Sequence, residues 1–140
     1  ALAAAQAELA VAKAGALVAK AEAMGEFQLL VERLDGVDGA GLQGAAQSLA
    51  DQLGDGAAVV IGGLPDPGDL SKVILVAAFG KQVIAAKLQA GKFIGGIAKL
   101  CGGGGGGRPN LAQAGGRDGA QLISALEAAA VQLQQALENA

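Results

Sequence analysis

The chain opens with an alanine-rich segment in which larger apolar residues recur about every seven positions. These residues are Leu2, Leu9, Leu17 and Met24, and mostly small residues stand between them. Such a spacing lines the larger side chains along one narrow strip of a helix. The sequence therefore predicts a helix over residues 1–24. Its strip suits packing against one partner helix, from the same protein or from a second copy, and equally suits docking on the chain's own domain.

The next part of the chain predicts a strand followed by a helix. Residues 27–34 carry apolar side chains at alternate positions, which is typical of a strand. Residues 35–39 are rich in Asp and Gly and predict a turn. A helix that ends at Gly54 follows the turn, since its apolar residues stand at helical spacing. They are Leu42, Ala45, Ala46, Leu49 and Leu53.

Two continuous apolar runs, residues 57–61 and 73–78, predict buried strands joined by an exposed loop. Helices are then predicted over residues 82–89 and from Lys92 to Cys101, with a break at Gly91.

Six glycines, residues 102–107, read as a loop, and residues 110–114 as a short strand. The last helix is predicted to begin at Asp118, an N-cap residue with Gln121 three positions later. Together these elements predict an α/β fold in which a small central sheet of three to four strands is flanked by helices and preceded by the alanine-rich N-terminal helix. The predicted division is a helical segment over residues 1–24 and a globular domain over residues 25–140.

The charge of the chain is divided unevenly along its length. Between residues 71 and 117 there are seven Lys and Arg residues and no Asp or Glu, so this stretch carries +7. The rest of the chain carries −10, and the net charge is −3. If the basic residues share one face, that face attracts a polyanion although the whole chain is acidic. The alternative is a solvated basic surface without a partner.

Composition restricts the chemistry available to the chain. It has no His, Tyr or Trp, so it has neither a His-activated nucleophile nor an imidazole metal ligand, and we expect no catalysis, no metal and no cofactor in this fragment. The lone Cys101 cannot form an internal disulfide, which favours a reducing, cytoplasmic setting. We expect no membrane span and no signal peptide. Because the sequence begins on Ala1 within a helical pattern, we expect a fragment of a longer protein.

The glycine run is a candidate phosphate site. Successive backbone N–H groups without side chains can form an anion-binding nest, and Arg108 follows directly with a charged fork. A flexible linker has the same composition. Base stacking requires aromatic side chains, and only Phe93 is near the glycines in sequence, so contacts are expected to go to phosphates and to RNA shape.

A longer stretch carries a resemblance to a known family. The segment LQAGK at residues 88–92, then IAKLC at residues 97–101 and GGGGGGRPNLAQAGGRDGAQL at residues 102–122, resembles the C-terminal domain of alanyl-tRNA synthetases. The resemblance implies a DHH-associated fold that contacts the outer elbow of tRNA(Ala) and helps to coordinate upstream aminoacylation and editing domains. It also implies that catalytic and zinc sites lie outside this chain, and that residues 1–24 support a homodimer in some members.

The resemblance and the charge pattern give one set of candidate RNA-binding residues. They are Arg108, Lys92, Lys99, Gly103, Gly104, Gly105, Gly106, Gly107 and Arg117. Related phosphoesterases have a His after their glycines, where this chain has Arg108, which favours the synthetase branch. Two alternatives stay open: the substrate-binding half of a DHH-type phosphoesterase, and a purely structural dimerisation module.

Overall fold

The computed structural model of the chain describes residues 20–66 and 68–138. Within them six strands form one mixed sheet in the order β1-β2-β3-β4-β6-β5. The strands are β1 Glu22–Met24, β2 Phe27–Arg33, β3 Ala57–Gly63, β4 Val73–Phe79, β5 Gly104–Gly107 and β6 Leu111–Gly116. Only β2 and β3 run parallel to each other, and the other neighbours are antiparallel.

Within the same described ranges, four helices cover the two faces of the sheet. They are α1 Gly39–Leu53, α2 Lys81–Ala85, α3 Ala90–Ala98 and α4 Leu122–Glu138, with short 3₁₀ turns at Lys99–Cys101 and Gly119–Gln121. Helix α1 packs on one face, and α3 and α4 pack on the other. All seven residues of β3 are buried, because this strand lies between two apolar layers. None of the helices in the described part of the chain is long and apolar enough to cross a membrane.

The predicted α/β class is confirmed, and so are the helix before Gly54 and the strands at 27–34, 57–61 and 73–78. Helix α1 starts where the Asp38 carboxylate accepts a hydrogen bond from the Gly41 N–H, at 2.8 Å. It ends at Gly54, whose φ of +90° is unfavourable for any residue with a side chain. Local turn chemistry therefore sets both ends of this helix.

The predicted sheet of three to four strands is too small, because the sequence predicts a helix where β1 lies and a loop where β5 lies. Residues 22–24, expected to close the N-terminal helix, form β1 and pair with β2 after a turn at Gly25, which has φ +63°. The alanine-rich sequence does not show that a strand begins here, because alanine favours a helix and gives no alternation of apolar and polar residues. Residues 1–19 lie outside the described part of the chain, so the helix predicted there and the division at residue 24 stay predictions.

Three further boundaries differ from the prediction. The helical break lies at Lys87, which has φ +71°, whereas Gly91 is inside α3. Gly104–Gly107 of the glycine run, predicted as a loop, form β5 in extended conformation, so these four residues do not form the curved nest that was predicted. The last helix begins at Leu122 after a 3₁₀ turn, and the Asp118 side chain makes no capping hydrogen bond.

Cys101 is fully buried where the 3₁₀ turn after α3 meets β6, and both burial and the nearby Asp118 charge raise the pKa of its thiol. We expect iodoacetamide at pH 8 to alkylate the native chain at least on the order of 100-fold more slowly than the denatured chain, since reaction requires local opening. Mass spectrometry of timed samples measures both rates. Equal rates would contradict the buried placement of Cys101.

Candidate nucleic-acid interface

The glycine strand β5 forms one edge of the sheet. It pairs with β6 on its inner side, from Gly104 opposite Gly115 to Gly107 opposite Ala112. No described strand pairs with its outer side, and all four residues are exposed. The backbone groups on this outer side have no strand partner, and β5 has no side chains that would keep a ligand away from its exposed backbone.

Packing within the chain explains two of the four glycines of β5 and does not explain the other two. A Cβ on Gly105 would lie 2.6 Å from the Ala114 Cα, and one on Gly107 would lie 3.0 Å from the Ala112 Cα, so close pairing with β6 excludes side chains there. A Cβ on Gly104 would meet nothing within 4 Å. One on Gly106 would meet only the Gly91 carbonyl oxygen, at 3.8 Å. Packing within the chain requires glycine at two of the positions and leaves the other two unexplained.

Helix α3 lies against β5 through glycines of its own. Gly91 and Gly95 are four residues apart and so share one face of the helix. A Cβ on Gly91 would stand 2.7 Å from the Gly107 carbonyl oxygen, and one on Gly95 would stand 2.9 Å from that of Gly105. Helix and strand thus meet backbone to backbone, which a side chain at either helical position would prevent.

An open cavity of about 570 Å³ borders both α3 and β5 on their exposed side, and we call it the lysine cavity. It is lined by Gln89, Gly91, Lys92, Gly95, Gly96, Lys99 and the four residues of β5. Lys92 and Lys99 are exposed, and neither forms an ion pair with another residue of the described ranges. Since the lining has no acidic side chain, two uncompensated positive charges stand beside a bare backbone.

A second cavity of about 370 Å³, the amide cavity, borders β5 and β6 next to α1. It is lined by Gln43, Gly106, Gly107, Arg108, Leu111, Ala112 and Gln113. The Gln43 amide Nε2 donates a hydrogen bond to Gln113 Oε1, at 2.7 Å. Because Gly106 and Gly107 line both cavities, the two are adjacent along the edge of the sheet.

The structure therefore places most of the predicted residues at one edge. Lys92, Lys99 and Gly104–Gly107 line the lysine cavity, and Arg108 lines the neighbouring amide cavity. Arg117 and Gly103 line neither. Arg117 is exposed and its backbone N–H donates to the Cys101 carbonyl, whereas a Cβ on Gly103 would overlap the Gly115 carbonyl, so close packing accounts for that glycine.

The acid-free stretch of sequence does not gather all seven charges at this edge. Lys81 borders a different cavity, together with Asp51 and Asp55. Lys87 stands in the left-handed turn between α2 and α3. The basic character of the interface therefore comes from Lys92, Lys99 and Arg108.

The sequence does not identify Gln43 and Gln113 as residues of this interface. Gln113 lies between buried Ala112 and Ala114 on β6, so strand alternation points its side chain to the opposite face of the sheet, towards α1. That alternation was a usable signal. Gln43 could not have been found in this way, because its position depends on how α1 crosses the sheet.

Comparisons with known proteins agree with this fold. The DHHA1 domain model matches residues 26–135. The chain is 90% identical over 137 residues to an alanine–tRNA ligase of Parasynechococcus marenigrum, and the match covers 98% of the chain and 15% of that protein. It is 83% identical over 137 residues to an alanine–tRNA ligase of a Synechococcus strain, covering 98% and 15% respectively. The chain thus spans about 15% of the length of these curated relatives.

A solved structure matches as well. The C-Ala domain of Aquifex aeolicus alanyl-tRNA synthetase superposes with a TM-score of 0.67 at 26% sequence identity, and the match covers 84% of this chain and 97% of that domain. The resemblance read from the glycine-rich segment is therefore confirmed.

The contact between α3 and β5 predicts opposite effects for two neighbouring substitutions. Gly96→Ala should raise the free energy of unfolding by up to about 1 kcal/mol, because Ala favours the helix and a Cβ there meets nothing within 4 Å. Gly95→Ala should lower it by about 1–3 kcal/mol, because its Cβ would press on the Gly105 carbonyl. Urea unfolding followed by circular dichroism measures both values. Two variants of equal stability would show that α3 does not lie against β5.

Proposed function

We propose that this chain, which belongs to the DHHA1 domain family and within it to the C-Ala domains of alanyl-tRNA synthetases, binds tRNA along the glycine edge strand β5. The observation that supports the proposal is the pairing of exposed glycine backbone with Lys92, Lys99 and Arg108, without an acidic side chain in either lining. A polyanion gains from the three charges and can approach the strand closely, because no side chain intervenes.

The mode of contact follows from what the surface contains. Phe93, the aromatic residue close to the glycines in sequence, is half-buried and packs against Phe79 with ring centroids 5.8 Å apart. It is therefore engaged in the core and does not offer a free face for base stacking. Most of the affinity is assigned to phosphate contacts, and most of the discrimination among RNAs to the shape of the folded molecule.

The finer parts of the proposal concern the parent protein. The relatives are alanine–tRNA ligases, so we assign the parent that activity and place it in the cytoplasm. The edge strand would hold the outer elbow of tRNA(Ala), far from the acceptor end, and so help the aminoacylation and editing domains to act on one bound tRNA. The dimerisation assigned to residues 1–24 concerns a segment that lies mostly outside the described residues.

The phosphoesterase alternative has less support. Arg108 stands where those relatives carry His, and a guanidinium cannot serve as a base near neutral pH.

Removing charge from the interface should weaken tRNA binding and its salt dependence together. For the double variant Lys92→Ala with Lys99→Ala, and for Arg108→Ala, we expect the slope of log affinity against log salt to flatten by about 0.7–0.9 per lost phosphate contact. Binding isotherms at several salt concentrations measure this slope, and circular dichroism verifies folding.

Lys20→Ala is the matched control for the same titration. Lys20 precedes β1 at the opposite edge of the sheet, and its exposed amine stands 3.9 Å from the half-buried Glu32 carboxylate. Its removal should leave both affinity and slope unchanged. If Lys20→Ala loses binding while the interface variants bind like the unmodified chain, the RNA lies at the other edge.

A further inference from the structure

The amide cavity contains groups that phosphate binding does not require. Gln43 and Gln113 are half-buried and uncharged, and they meet through a 2.7 Å hydrogen bond beneath the wall formed by Gly106 and Gly107. A primary amide has two N–H hydrogens and one carbonyl oxygen. After donating one hydrogen to Gln113, the Gln43 amide retains one N–H donor and its carbonyl acceptor.

Gln113 is itself held in place by the surrounding backbone. A Cβ on Gly39, the first residue of α1, would lie 2.6 Å from Gln113 Nε2, so the absence of a side chain there makes room for this amide. Strand β6 fixes the other end of Gln113 between buried Ala112 and Ala114. Gln113 is thus a positioning residue that orients the Gln43 amide.

The remaining lining of the amide cavity suits a flat and uncharged ring. Leu111 gives an apolar surface, and Gly106 and Gly107 line the cavity without a projecting side chain. The volume of about 370 Å³ falls within the usual range for small-ligand sites. Arg108 stands at the same cavity and can hold a phosphate next to the ring.

We propose that the amide cavity holds one unpaired nucleobase of the bound RNA, read by the donor and acceptor of Gln43, while the adjoining lysine cavity holds the neighbouring phosphates. An adjacent donor and acceptor match the amine and ring nitrogen of adenine, which is the pairing that glutamine makes with this base in nucleic-acid complexes. The nucleotide would then straddle β5, and this accounts for Gly104 and Gly106, which packing within the chain leaves unexplained. The inference rests on the proposed RNA-binding function.

The test separates base recognition from phosphate binding by using two hexamers with the same backbone charge. One is hexa-adenylate, and the other is the corresponding chain of abasic ribose phosphates. The unmodified chain should bind hexa-adenylate about tenfold more tightly than the abasic hexamer, which is the discrimination typical of one bidentate amide contact. Gln43→Leu should bring the two affinities within about twofold and leave the salt slope unchanged, because no charge is lost.

Two further variants complete the design. Gln47→Leu makes the same change one turn along α1, where Gln47 bonds Asp51 outside the amide cavity, so it should keep the preference for hexa-adenylate. Gly106→Val puts a side chain in the wall that both cavities share, and the nearest atom to its Cβ is the Gly91 carbonyl oxygen of α3, 3.8 Å away, so it should fold normally and weaken the binding of both hexamers. Thermal unfolding monitors the stability of each variant.

The outcomes distinguish failure of the nucleobase site from failure of the RNA-binding function. If tRNA binds through Lys92 and Lys99 but the unmodified chain does not prefer hexa-adenylate, or if Gln43→Leu keeps the preference, the nucleobase site is overturned and the RNA-binding function stands. A Gln43→Leu variant that weakens both hexamers equally also overturns the site, because the amides would then act on phosphate. If the unmodified chain binds neither tRNA nor hexamers, both the function and the site fail.

Discussion

The backbone-to-backbone contact between helix α3 and strand β5 is the constraint on which the interface depends. It requires glycine at Gly91 and Gly95 on the helix, since a Cβ at either would lie within 3 Å of the β5 main chain, while the pairing of β5 with β6 requires glycine at Gly105 and Gly107. Four glycines cost conformational entropy, roughly 0.5–1 kcal/mol each relative to alanine. In return the helix brings Lys92 and Lys99 alongside an edge strand that has no side chains, and a phosphate chain can reach both.

The rest of the fold holds this edge in place. Strand β3 is buried in the centre of the sheet. Successive antiparallel pairings connect it through β4 and β6 to β5. An exposed edge strand ordinarily invites pairing with another chain, and charged side chains commonly prevent it. Here the charges come from α3 and from Arg108, so the edge repels basic partners and attracts an acidic polymer.

Much of this fold could be predicted from the sequence, because several elements follow from local patterns alone. Helix α1 and strands β2, β3 and β4 follow hydrophobic patterns that are decided locally. Strand β5 could not be predicted, because glycine has neither strand propensity nor a period, and only pairing with β6 makes it a strand. Strand β1 was hidden in alanine-rich sequence for a similar reason. The charged residues of the site were predictable from the acid-free stretch, whereas the Gln43–Gln113 pair depends on contacts across 70 residues of chain.

The most direct measurement of the central claim is a residue-by-residue map of the RNA contact. Backbone amide shifts of ¹⁵N-labelled chain, recorded while tRNA is added, report which residues the RNA touches. We predict that the largest changes fall on Gly104–Gly107 and on Lys92 and Lys99, with little change in β1 or along α4. Changes concentrated in β1 and α4, with the glycine strand unaffected, would contradict the account.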